Sequence, residues 1–198
     1  MLRIGLTGGI GSGKTTISNQ FHSTYNIPII DADEISRALL LPSGKAYDET
    51  IKLFGPECVL ESRNIDRKFL REKIFANDNL RVLLEEIIHP KVRAEITTQV
   101  KLLNSQYCLI EIPLLIESNM QSLVDRILVV DTSKKNQLDR VSSRDQCDKN
   151  QVENIIHAQI DSAERLKYAD DVITNNGTSE DLFQQIERLH QIYLDLTI

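Results

Sequence analysis

The sequence predicts an α/β fold in three layers, a mainly parallel five-stranded sheet with helices on both faces, and three features carry that expectation. Short, nearly continuous apolar runs read as strands buried on both sides. Amphipathic helical patterns separate them, so that successive strands are joined by right-handed crossovers. The first strand-to-helix junction is a glycine-rich turn, GGIGSGKT, from Gly8 to Thr15, which satisfies G-x-x-x-x-G-K-[ST] with a strand before it and a helix behind it. That junction makes the fold a P-loop kinase-like core.

The first strand is Leu2 to Thr7 and the first helix runs from about Lys14 through Ile17 and Phe21 toward Tyr25. Between them, Gly8, Gly11 and Gly13 free the backbone of Cβ clashes, so that Gly11, Ser12, Gly13 and the residues after them can turn consecutive N–H groups onto phosphate oxygens. Lys14 supplies a mobile charge for the β- and γ-phosphates and is expected to be exposed in the empty loop. Thr15 carries the hydroxyl expected on Mg²⁺, a hard ion that takes oxygen ligands and keeps much of its water. Thr16 is placed near the α-phosphate. The chemistry implied is binding of a nucleoside triphosphate such as ATP.

Asn26 to Ile30 reads as a second short strand ending on Asp31-Ala32-Asp33. Asp31 or Asp33 could face the phosphates from the ligand edge of a parallel sheet, and the alternative for Asp33 is to cap the helix that DEISRALL opens. From Pro42 to Ser105 the pattern is almost entirely helical, with segments at Ala46–Phe54, Asp66–Phe75 and about Leu80–Leu103. This is too long for a simple connection and reads as a helical substrate-binding insertion at about 42–105 within a single domain. Pro90 falls inside its last helix and is expected to bend or restart it, with His89 at the kink. A lone histidine next to proline is more often a local hydrogen-bonding residue than a catalyst.

Tyr107 to Ile112 and Asp125 to Asp131 are the third and fourth strands. Ser133 to Arg144 is helical and sets Arg140 and Arg144 on one face, which alone describes a solvated basic stripe as well as a functional pair. A single helix is expected from Asp148 to about Lys167, opened by Asp148 and Gln151. Asp171 to Thr174 is the last strand, and Thr178 with Asp181 starts a final amphipathic helix.

Composition narrows the function classes. At 198 residues, 41% apolar and a formal net charge of -6, the chain can bury a sizeable core and has no surplus of Lys and Arg for coating nucleic acid. Cys58, Cys108 and Cys147 are widely spaced and outside any Cys/His cluster, which points to neither a disulfide framework nor zinc, and to a reducing compartment. No apolar run reaches the roughly 18 residues of a membrane span, and the N-terminus leads directly into a strand, so a soluble cytoplasmic protein with no membrane partner is expected. N-K-x-D and D-x-x-G, the marks of a switch GTPase, are absent. The patterns set no oligomeric state. On residues alone, a nucleotide or shikimate kinase fits as well as any other small-molecule kinase.

One family shares far more than the loop. TGGIGSGKT, DADEISR at Asp31 to Arg37, Phe54-Gly55, Asp66-Arg67, IHPKV at Ile88 to Val92 and PLLIE at Pro113 to Glu117 occur in this order, followed by Gln137, Arg140, Arg144-Asp145, Gln159 and ADDVITNNG. Over nearly its whole length the chain resembles dephospho-CoA kinases, which transfer the ATP γ-phosphoryl group to the 3′-hydroxyl of dephospho-CoA in the last step of coenzyme A biosynthesis. The resemblance implies that Asp33 lies near the acceptor hydroxyl as general base or metal-site carboxylate. It further implies that Arg140 sits on a lid, at about 134–165, closing over the ATP phosphates, and that His89 and Pro90 lie on the substrate side. Two positions depart from the family pattern. Glu111 stands where aspartate is common and is assigned no metal, and Glu61-Ser62-Arg63-Asn64 lacks the usual glycine before Asp66-Arg67.

Overall fold

The structure, a computed structural model, describes residues 1–146 and 148–197; Cys147 lies outside the described residues. Five strands, β1 (Leu2–Gly8), β2 (Ile29–Asp31), β3 (Tyr107–Glu111), β4 (Arg126–Asp131) and β5 (Asp171–Thr174), form one sheet in the order β2-β3-β1-β4-β5, every pair parallel. The expected doubly covered parallel sheet is present. Its central strand is β1, so the glycine-rich turn leaves the middle of the sheet, where connections depart to opposite sides and a ligand crevice opens at the strand carboxyl ends.

Two compact units divide the chain: residues 1–31 with 102–198, and residues 32–101. The first holds the sheet with α1 (Lys14–Tyr25), α6 (Lys134–Asp145), α7 (Lys149–His157), α8 (Ser162–Leu166) and α9 (Ser179–Asp195). Its core interleaves Ile4, Leu6, Leu109, Leu128 and Val130 of the strands with Ile17 and Phe21 of α1 and Ile186, Leu189 and Tyr193 of α9. Burying each such side chain contributes about 1.5–3 kcal/mol, which seats α1, and so the loop before it, firmly on the sheet. Buried phenols in this core are paired: Tyr107 Oη lies 2.6 Å from His190 Nδ1, and Tyr193 Oη donates to Asp171 at 3.1 Å. Cys108, between Tyr107 and Leu109 on β3, is buried outside that cluster, its thiol pushed up to about 11 by desolvation, which keeps it inert.

The strand at Asn26 is shorter than the sequence suggests. Asn26 takes a left-handed conformation at φ 55° and caps α1, donating its N–H to His22 O at 2.8 Å, so β2 begins only at Ile29. The helix expected across Asp148–Lys167 is two helices. Ala158 closes α7, and the Asp161 carboxylate then accepts from Ala163 N at 2.8 Å to start α8, a second cap that neither glycine nor proline announces. Asp148 caps α7 as expected, and Thr178 and Asp181 form a reciprocal capping box on α9.

The second unit is helical: α2 (Ala32–Leu39), α3 (Tyr47–Phe54), α4 (Arg67–Ala76) and most of α5 (Asp78–Leu102), around a core of Phe54, Cys58, Ile65, Leu70 and Leu84. Asp66 caps α4 through Lys68 N and Phe69 N. In the stretch lacking glycine, Arg63 itself takes φ 65° and donates its N–H to Leu60 O at 2.8 Å, with its own carbonyl accepting from Tyr47 Oη. An arginine thus holds the left-handed turn that glycine favours, supported by the tyrosine contact. Pro90 does not restart α5, which continues from Asp78 to Leu102. One missing N–H is tolerated in so long a helix, and Lys91, paired with Glu49 at 2.9 Å, fastens the turn beyond it. Among the described residues no helix is long and apolar enough to cross a membrane.

Candidate active site

Where β1 ends, the chain turns through Gly8–Gly13 and enters α1 without a side-chain cap, Gly13 at φ 97° occupying the cap position. Gly11 has φ 70°, and a Cβ there would lie 2.8 Å from Val141 Cγ2; one on Gly13 would lie 2.3 Å from Asn175 Nδ2. Both positions need glycine for conformation and for space. Thr15 and Thr16 follow in the first turn of α1, exposed, while Ser12 is fully buried and its hydroxyl has no partner.

Lys14 is half-buried instead of exposed: its ammonium donates to Gly8 O at 2.9 Å and Gly9 O at 3.1 Å. The cation is folded onto the loop's own carbonyls, positions from which incoming phosphate oxygens can draw it.

Glu111, unassigned by the sequence reading, proves to be part of this cluster. It ends β3 in register with Leu6, so its carboxylate reaches the start of α1, where it accepts from Thr15 Oγ1 at 3.1 Å and Ser18 Oγ at 2.8 Å. It is 7% exposed. No spacing along the chain announces it; β3 lying beside β1 is what brings its carboxylate to the loop. A hydroxyl and a buried carboxylate are a hard-oxygen donor pair suited to Mg²⁺, which takes one or two protein ligands and completes its shell with phosphate and water.

Arg140 of α6 joins the same cluster. Its Nη1 lies 3.3 Å from Gly11 O and 3.4 Å from Ser12 O, and its Nη2 donates to Asn175 O at 3.0 Å. Asn175 Nδ2 donates to Ser12 O at 2.7 Å, and Asn176 Oδ1 accepts from Ser133 N and Thr132 Oγ1, so the turn after β5 ties α6 to the loop. Neither asparagine had a role in the sequence reading beyond membership of the ADDVITNNG motif. Two cavities open around these groups: one of about 300 Å³ between Lys14, Thr15, Thr16, Arg140 and Arg144, another of about 240 Å³ between Gly13, Thr16, Asn175, Gly177, Thr178 and Leu182.

Of the predicted site residues, Gly11, Ser12, Gly13, Lys14, Thr15, Thr16 and Arg140 are thus brought together. Asp33, His89 and Pro90 belong to the helical unit. Asp33 is exposed and sits within the first turn of α2, which starts one residue earlier at Ala32, so it is not the helix cap. His89 is half-buried in α5, its pKa held below the usual imidazole value by burial and, to a smaller extent, by Arg93, against the pull of Glu85.

The model of the dephospho-CoA kinase family matches residues 2–181. The chain belongs to the dephospho-CoA kinase family. A dephospho-CoA kinase of Vibrio parahaemolyticus is 40% identical over 98% of this chain and 95% of its own. The structure of the dephospho-CoA kinase of Campylobacter jejuni is similar at 28% identity and a TM-score of 0.72, covering 99% of this chain and 98% of that one. A shikimate kinase of Bacteroides thetaiotaomicron, at 14% identity and a TM-score of 0.56 over 96% of this chain and 97% of its own, shares the fold alone. Dephospho-CoA kinases are ATP-dependent phosphotransferases acting on an alcohol group, a class to which the loop, Lys14 and Glu111 are chemically suited.

Proposed function

We propose that this chain transfers the γ-phosphoryl group of ATP to the 3′-hydroxyl of dephospho-CoA, giving coenzyme A and ADP, in the cytoplasm. The reading rests on a preformed phosphate loop, with Thr15 against Glu111 at 3.1 Å, in a chain alike over nearly its full length to enzymes of that name. The triphosphate lies along the loop, its phosphates in the cavity beside Lys14 and Arg140 and its base in the neighbouring one beside Asn175 and Thr178. Thr15 and Glu111 would hold Mg²⁺, which would supply neutralisation of phosphate charge. Phosphoryl transfer needs little covalent work from the protein, so the loop amides, Lys14 and Arg140 act by positioning and charge stabilisation. Asp33 takes the acceptor proton as the bond to phosphorus forms. The helical segment at about 42–105 carries the acceptor, with His89 and Pro90 on the substrate side, and the segment at about 134–165 is a lid that excludes water.

The experiment that tests this reading is ADP release with dephospho-CoA, nucleoside monophosphates, shikimate or no acceptor: dephospho-CoA alone should support turnover, and a preference for any other acceptor overturns it. Two substitutions test the donor side. Arg140→Ala should lower kcat by about 10²-fold with a smaller change in ATP affinity, as expected for a group acting on transition-state charge. A mutant that raises the KM for ATP at unchanged kcat would instead confine Arg140 to holding Gly11, Ser12 and Asn175. Glu111→Gln keeps the shape but not the charge, and should raise the Mg²⁺ concentration for half-maximal turnover about 10- to 100-fold. An unchanged Mg²⁺ titration removes Glu111 from the metal site.

A further inference from the structure

The loop's leading half is held from the far end of the chain. Ile10 N–H donates to Gln159 Oε1 at 2.9 Å, a contact spanning 149 residues. Buried or half-buried backbone N–H groups need an acceptor, and here a side chain supplies it instead of the loop's own backbone. Gln159 lies in the link between α7 and α8, and its neighbour Ile160 is fixed at both backbone groups. Ile160 N–H donates to Glu117 Oε1 at 3.2 Å, and Arg165 Nη2 donates to Ile160 O at 2.8 Å. Arg165 and Glu117 stand 3.8 Å apart, and the Arg165 side chain is 6% exposed. A buried guanidinium is expensive to desolvate, and it stays in place here beside Glu117 while anchoring one carbonyl. With Ile160 pinned from both sides, the Gln159 side chain begins from a fixed backbone and loses little freedom on meeting Ile10.

We propose that Gln159 is a positioning residue that holds the phosphate loop in its nucleotide-ready shape through Ile10 N–H, with Glu117 and Arg165 fixing the two peptide groups of the adjacent Ile160 from behind. Gln159 touches the loop backbone and acts on the nucleotide only through it. The inference rests on the proposed ATP site and deepens it: the donor end of the reaction depends on a segment downstream of α7 that contributes no ligand itself.

The test uses the full chain, with ADP affinity by calorimetry and backbone amide exchange at Ile10 read by NMR. Gln159→Met keeps the length and removes the acceptor. It should weaken ADP binding and raise the KM for ATP about three- to tenfold, the worth of one such hydrogen bond, with kcat within about twofold and Ile10 N–H exchange accelerated. Gln159→Glu keeps an acceptor and should retain Ile10 protection. Unchanged affinity in Gln159→Met overturns the proposal, as does lost affinity with Ile10 exchange at its parental rate, which would place the effect elsewhere. Lys14→Ala run alongside separates the two readings: if it loses ADP while Gln159→Met does not, only the positioning role falls. A parent that binds no ADP at all overturns both.

Discussion

Lys14→Ala is expected to reduce phosphoryl transfer at least about 10²- to 10³-fold, to the limit of detection in a steady-state assay, while leaving the fold intact. In the structure the ammonium donates to carbonyls of its own loop, Gly8 O at 2.9 Å and Gly9 O at 3.1 Å. Those carbonyls can turn to water when the side chain is removed, so the loss of stability should be limited to about 1 kcal/mol per hydrogen bond. The core beneath is untouched, because Ile17 and Phe21, one and two turns further along α1, carry its packing against the sheet. In the proposed reaction the same ammonium would be the mobile charge able to follow the γ-phosphoryl group as negative charge moves to the leaving oxygen. Turnover and melting temperature measured on one preparation separate the two outcomes. A mutant with parental turnover would remove the loop from the chemistry, whereas one that melts early would show that the loop needs Lys14 to form.

The parts of the site legible in sequence are those whose function depends on local backbone geometry. Gly11 and Gly13 are read directly because their left-handed φ values leave few alternatives, and Lys14 and Thr15 follow from their places in the same turn. The sheet is legible for a similar reason: Leu109 and Ile110 of β3, like Leu128 and Val129 of β4, are buried on opposite faces, and such strands write themselves as apolar runs. Long-range partners are different. Glu111 meets Thr15 across 96 residues and Asn175 meets Ser12 across 163, contacts created by strand order, which no spacing along the chain encodes. Arg140 illustrates the intermediate case. Helical periodicity places it on a face with Arg144, but only the fold decides that this face meets the carbonyls of Gly11 and Ser12. The break between α7 and α8 was hidden because Asp161, its cap, is an ordinary acidic residue in a polar segment. Arg63 was hidden for the opposite reason: a residue disfavoured at φ 65° does what glycine usually does, supported by a tyrosine from α3.

Asp33→Asn is expected to lower turnover by roughly 10²- to 10⁴-fold with almost no change in stability. Asp33 lies inside the first turn of α2, after Ala32, so an amide there loses no capping bond of the helix-start kind. The attraction between a carboxylate and the helix N-terminus is worth about 0.3–1 kcal/mol at an exposed position, and Glu34 beside it retains the same sign of charge. Chemically the change is larger, because an amide cannot accept the acceptor hydroxyl's proton and presents no charge to a metal-bound phosphate. Single-turnover transfer from Mg·ATP to dephospho-CoA isolates that step from product release, and melting temperatures taken in parallel exclude a loss of fold. ATP affinity should stay within about threefold, since the proposed base meets the acceptor and not the donor. If Asp33→Asn transfers phosphate within about threefold of the parent, far short of what a lost general base costs, Asp33 is not the base and the proton leaves by another route.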